Sequence, residues 1–232
     1  MRFGILGSLL SDPRSTLIVF LLAMPGRLLA ISAHEAAHAW VADRCGDPTA
    51  RLMGRITLNP LAHLDPLGLA CMLLLGIGWA KPVPVNPRNF RNYRRDDLLV
   101  SIAGITMNLI MFVLGTFVYC LIYGLLWRRG VVIRGVGGYL MQMLEYFIFT
   151  NLSLAIFNLI PLPPLDGYHV LNDLVLKGSL FADRRAAMTG QAILLVAMYT
   201  GLLTRFLGWA VGGAWTAVSG AILRLLSLVG LF

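Results

Sequence analysis

Ile31-Ser32-Ala33-His34-Glu35-Ala36-Ala37-His38-Ala39-Trp40 is the stretch around which the rest of the chain is arranged. It contains H-E-x-x-H, and on a helix His34 and His38 stand one turn apart on one face. Two imidazoles so spaced can grip one Zn²⁺ and leave a coordination position for water. Glu35, one residue further round, can take a proton from that water as it attacks a carbonyl. The flanks, Leu28-Leu29-Ala30 and Trp40-Val41-Ala42, are apolar enough to lie in a bilayer. Three ionisable residues at membrane depth are expensive and mark a functional site. A lone membrane histidine more often makes a structural hydrogen bond to a neighbouring helix. Here a matching third ligand later in the chain favours the metal.

Composition sets the environment. The 232 residues are 58% hydrophobic and only 13% charged, with a mean hydropathy of +0.76; a soluble domain carries roughly 25% charge. An all-α polytopic membrane protein with about six transmembrane helices is expected, as one integral domain over residues 1–232. The net charge of +8 fits cytoplasmic loops biased to Lys and Arg and an attraction to anionic headgroups. No basic-aromatic module accompanies it, so no nucleic-acid partner is expected. Cys45, Cys71 and Cys120 are odd in number and lack CxxC spacing, which supports neither a disulfide framework nor a thiolate metal site. The run Met1 to Leu10 is too short to read as a signal peptide.

Ser11-Asp12-Pro13 reads as a helix start, a polar cap followed by proline in the first turn. The apolar run from Thr16 is interrupted at Pro25-Gly26-Arg27 and continues to about Ala42, as two helical pieces or one kinked helix. Ser32, Ala33, Ala36, Ala37, Ala39 and Ala42 surround the histidines, small enough for other helices to approach closely. Between Asp43 and Asp97 lie Arg44, Arg51, Arg55, Lys81, Arg88, Arg91, Arg94 and Arg95, which marks this face as cytoplasmic. Within it, the apolar segment Pro66 to Ala80 is short for a span and suits a re-entrant or interfacial element. Lys81-Pro82-Val83-Pro84-Val85-Asn86-Pro87 is forced into an extended backbone by its prolines. It can lie as an edge strand, with Arg55-Ile56-Thr57-Leu58 as a candidate neighbour, or serve as a plain loop. His63 is a further candidate to contact substrate or a second metal, with a surface-loop histidine as the stronger reading.

Leu98 to Trp127 is an uncharged span, and it places Gly104 one turn before Asn108, a close-packing face carrying an amide. Arg128, Arg129 and Arg134 follow as an external loop. Tyr139 to Ile160 is the next span, with Glu145 inside it. Then comes Asn158-Leu159-Ile160-Pro161-Leu162-Pro163-Pro164-Leu165-Asp166-Gly167. Its prolines end the helix and leave carbonyls that only protein or a wet cavity can satisfy. A carboxylate at Asp166 calls for a cation, or caps the helical stretch Tyr168 to Leu176, or does both. Arg185 to Thr204 and Phe206 to Phe232 read as further spans whose glycines (Gly208, Gly212, Gly213, Gly220) suit helix packing.

Two histidines and one aspartate around a single Zn²⁺, with water fourth, make an open site of the catalytic kind. With Glu35 and Asp166 ionised and neutral histidines the net charge is near zero, which a low-dielectric site tolerates. Zinc there lowers the pKa of water and polarises the scissile carbonyl, while Glu35 moves the proton to the leaving amine.

These motifs resemble the site-2 protease family of intramembrane zinc metalloproteases. His34-Glu35-Ala36-Ala37-His38 matches its zinc motif, and Asn158 to Gly167 matches its N-x-x-P-x-x-P-x-D-G motif. Ser101 to Asn108 resembles its third signature, with Ile105 where the family has proline. The match covers about residues 20–175, the catalytic core, with additional helices over 185–232; the chain is similar to compact prokaryotic members without PDZ or CBS domains. The resemblance implies Asp166 as the third ligand of one zinc per chain and Glu35 as general base. It implies Asn108 and Asn158 near the bound peptide, and the segment carrying Val83 and Val85 as the strand that receives it. The substrates implied are transmembrane segments of other proteins, cleaved in a prokaryotic cell membrane with the active site toward the cytoplasm. Two other readings compete. A zinc transporter or sensor needs a polar path through both leaflets and has no use for Glu35 beside the ligands. A proteolytically silent relative would not need Glu35 intact.

Overall fold

A computed structural model describes residues 11–75, 79–175 and 184–231. The run Met1 to Leu10 and residues 76–78 of the short apolar segment lie outside the described residues. The fold is all-α. Its long helices are α1 (Pro13–Cys45), α3 (Tyr93–Arg128), α4 (Val136–Asn158) and α7 (Leu202–Leu228); shorter ones are α2 (Pro66–Leu75), α5 (Asp166–Leu174) and α6 (Arg184–Tyr199). Among the described residues, α1, α3, α4 and α7 are the four helices long and apolar enough to cross a membrane. Of the about six spans expected, the two remaining stretches form α2 and α6, of 10 and 16 residues. Within the described residues these reach about 15 and 24 Å at 1.5 Å per residue, and each adjoins residues outside the description.

Helix α1 begins where its sequence says, with Asp12 accepting from the Ser15 N–H. It then runs unbroken through Pro25, so one continuous helix replaces the alternative of two pieces. Gly26 explains the register: a Cβ there would press on the backbone of Phe147 in α4. Alanines do the same further along, with Ala30, Ala33, Ala37, Ala39 and Ala42 buried. In a bilayer, where apolar burial gives helices no preference for each other over lipid, such close contact supplies the association.

Helices α1, α3 and α4 pack mutually, α5 packs against α3, and α7 leans on α3 and α4. Phe112, Ile148 and Leu152 form the buried centre between α3 and α4, covered by Trp215 and Val218 from α7. Glu145 lies on this side, accepting from the Tyr119 hydroxyl at 2.6 Å. Gly208, Gly212, Gly213 and Gly220 do not serve packing as expected, since nothing lies within 4 Å of a Cβ placed on any of them. They face outward from α7.

The cytoplasmic-type segment is held by polar contacts. Leu64 and Ala80 form an antiparallel bridge, and the Lys81 N–H donates to His63 O at 2.8 Å. The neighbour of the extended segment is therefore His63-Leu64, not Arg55 to Leu58; Arg55 contributes its side chain instead, donating to Lys81 O at 2.6 Å. His63 is no surface histidine. It is 1% exposed, donates from Nε2 to Thr57 O at 2.8 Å, and has the Arg55 guanidinium 3.5 Å from Nδ1.

Candidate metal centre and its cavity

The metal-motif turn of α1 and the first turn of α5 meet over α3. His34 Nε2 and His38 Nε2 are 3.0 Å apart, and Asp166 Oδ2 lies 3.2 Å from the first and 3.4 Å from the second. A tetrahedral zinc with bonds near 2.0–2.1 Å separates its donors by about 3.3 Å, so the trio is spaced as that ion requires. Asp166 Oδ2 is buried without a hydrogen-bond partner, and a buried orphan carboxylate oxygen needs a cation. The residues present fit zinc.

The outer nitrogens of both rings are committed. His34 Nδ1 donates to Asn108 Oδ1 at 2.6 Å, and His38 Nδ1 donates to Val100 O at 2.7 Å. Such partners fix the tautomer and leave each Nε2 lone pair facing the centre. Asn108 is wholly buried and also donates to Ala30 O at 3.2 Å and to Asn151 Oδ1 at 2.8 Å. Asn151 in turn donates to Phe147 O at 2.9 Å. Asn108 stands behind His34, with its amide engaged by His34, Ala30 and Asn151. Gly104 lets α3 come this close, since a Cβ there would collide with both imidazoles.

Asp166 is not the N-cap that one reading made it. Leu165 occupies that position and Asp166 is the first residue of α5, so its carboxylate turns toward the histidines. The adjacent Gly167 sits so near the Leu159 and Ile160 carbonyls that a Cβ would overlap them. Proline-rich turn and helix start are thereby pressed together, which carries Asp166 to α1.

A cavity of about 420 Å³ opens on the trio, lined by Glu35, Pro82, Val83, Val85, Asn158 and His169 among others. Glu35 Oε2 accepts from the Val83 N–H at 3.0 Å. Asn158 lines the cavity while donating to Leu154 O at 3.0 Å. The far end of the extended segment is tied by Asp47, which accepts from the Asn86 N–H at 2.6 Å and from Asn89 Nδ2 at 2.8 Å. Burial works to raise the Asp47 carboxyl, but the hydrogen bonds from Thr49, Asn86 and Asn89 outweigh it and hold it below the usual carboxylate range. Asp47, Asp97, Asn151 and His169 had no signal in the sequence, because each acts on a partner dozens of residues away.

The profile of peptidase family M50 matches residues 135–199, which include the Asn158 to Gly167 motif. A Bacillus subtilis (strain 168) protein named "Putative zinc metalloprotease YwhC" is 42% identical over 177 residues, 75% of this chain and 78% of that protein. Two proteins named "Putative zinc metalloprotease Rip2" are also similar. The one from Mycolicibacterium smegmatis is 29% identical over 202 residues, 84% of this chain and 73% of that protein. The one from Mycobacterium tuberculosis (strain H37Rv) is 31% identical over 159 residues, 66% of this chain and 57% of that protein. No solved structure matches. Similarity of this extent to YwhC, together with the profile match across the aspartate motif, shows that the chain belongs to peptidase family M50, the site-2 protease family.

Proposed function

We propose that the protein is a zinc metalloendopeptidase that hydrolyses peptide bonds within or near transmembrane segments of other membrane proteins. The observation that carries this is a His-His-Asp trio, with His34 buried and Asp166 half-buried, beside Glu35 in one cavity, inside a set of membrane-length helices and bordered by an extended segment. One zinc per chain, held by His34, His38 and Asp166, would supply Lewis acidity, lowering the pKa of water and polarising a carbonyl.

The chain's own groups do the rest. Glu35, with Oε2 steadied by the Val83 N–H, keeps Oε1 to accept a proton from the attacking water. It returns that proton to the amine as the C–N bond breaks. A helical substrate hides its carbonyls in its own hydrogen bonds and must unwind to be cut, and the extended segment offers replacement partners by β-augmentation. Prolines at 82, 84 and 87 strip donors from that segment, and with the Val83 N–H spent on Glu35 Oε2, Val85 carries the N–H left for pairing between Pro82 and Val85. The arginines that flank the cytoplasmic-type segment support a multi-pass prokaryotic cell-membrane protein with its site toward the cytoplasm.

The test is zinc per purified chain together with cleavage of a dye-quencher transmembrane peptide that carries a helix-breaking Asn-Pro pair. Wild type is expected near one zinc and active, Asp166→Ala to lose the metal, and Glu35→Gln to keep zinc but lose cleavage. Full zinc in Asp166→Ala, or undiminished cleavage by Glu35→Gln, would overturn the assignment.

A further inference from the structure

His169 lies one turn beyond Asp166 on α5 and lines the same cavity as His34, Glu35, His38 and Asp166. Residues three apart on a helix are surface neighbours, roughly 5–6 Å between Cβ atoms. Its Nδ1 is 3.2 Å from Asp97 Oδ2 on α3, and its ring is 43% exposed while the Asp97 carboxylate is 13% exposed. Among the described residues lining the cavity, His169 alone lies outside the ligand trio and can carry a positive charge.

We propose that His169 is a substrate-facing donor of the active cavity, an imidazolium whose Nε2–H meets the carbonyl oxygen of the bound peptide, with Asp97 as its positioning residue. This rests on the protease reading above. Attack on a peptide carbonyl piles negative charge on its oxygen, and a donor already aimed at that charge lowers the barrier without reorganising. An imidazole whose Nδ1–H is held by a carboxylate is fixed in orientation and presents Nε2 outward.

The surrounding charges favour that state. The Asp97 carboxylate holds the His169 ring above its ordinary value against the opposing effect of burial. Asp173, buried on the same helix, is pushed up to about 6 by burial and by Asp97. Arg94 and Tyr93 are the other ionisable groups that α3 brings to this cluster. Arg94 is committed to the Asp173 carbonyl, to which its Nε donates at 2.7 Å. Glu35 completes the set from α1 across the cavity.

The experiment compares zinc-loaded wild type, Glu35→Gln, His169→Gln and Asp97→Asn on the same quenched transmembrane peptide across pH 5–9. In His169→Gln the proposal expects kcat to fall at least about tenfold, with KM within about threefold and zinc content and Tm unchanged. The wild-type loss of kcat on the alkaline side, where His169 deprotonates, should vanish in His169→Gln and move to lower pH in Asp97→Asn. Wild-type kcat in His169→Gln would overturn the proposal while leaving the protease reading intact. Loss of zinc alongside the rate would also overturn it, making His169 a support for Asp166. Cleavage no greater in wild type than in Glu35→Gln would instead remove the protease reading itself.

Discussion

At the scale of single residues, the centre depends on what stands behind the ligands. Asn108 has spent its amide on His34, Ala30 and Asn151, so Asn108→Ala should act on the metal and not on the peptide. Outer partners of ligating histidines are typically worth 10–100-fold in metal affinity. That loss is the expected result of a zinc-competition titration with a chelator, and an unchanged affinity would return Asn108 to the substrate side. Gly104→Ala inserts a methyl group against both imidazoles. Overpacking of this kind costs about 1–3 kcal/mol, and because the displaced atoms are the proposed metal donors, zinc per chain should fall along with Tm.

At the scale of elements, the extended segment is an appended part held at both ends. One end is fixed by the His63 and Arg55 contacts to Lys81, the other by Asp47 at Asn86 and Asn89. The Asp47 carboxyl is held below its ordinary range in the fold, so the unfolded chain binds its proton more readily than the folded one does. The stability it lends is therefore complete above the ordinary carboxylate value of 3.8 and drains away as pH falls through the depressed one. Asp47→Asn should lower Tm at pH 7 and flatten the fall in Tm between about pH 4 and pH 2. Thermal unfolding in detergent across that range measures both. A wild-type acid limb persisting in the variant would assign it to other carboxylates.

For the molecule as a whole, orientation in the membrane is the property that joins the site to its substrates. The arginines near the extended segment and those after α3 lie at opposite ends of a helix of 36 residues, about 54 Å long. They must face different compartments. Single-cysteine labelling in intact cells with a membrane-impermeant maleimide reads this directly. Cys45 and Cys120 are buried, so a Cys71→Ser background should label little. An added Arg129→Cys should label and an added Arg88→Cys should stay protected until the cells are opened. The reverse pattern would put the cavity on the outer face. Glu145, paired with Tyr119 between α3 and α4, belongs to this scale too, as a helix-to-helix bond away from the metal trio.

The sequence alone determined the membrane class, the two metal motifs and the proline-forced extended segment. Each is written in local pattern: apolar run length, the i and i+4 spacing of His34 and His38, and prolines that forbid helix. Only the tertiary structure decided which partners these local features meet. It set His63-Leu64 beside the extended segment, Asn108 behind a ligand, and Asp97 against His169 at the cavity wall. It also decided that the glycines of α7 look outward. Contacts between residues 62 to 74 positions apart leave no periodicity for a sequence to display, because they arise from how close two helices can come. That distance is set by where Gly26, Gly104 and Gly167 fall on the facing helices.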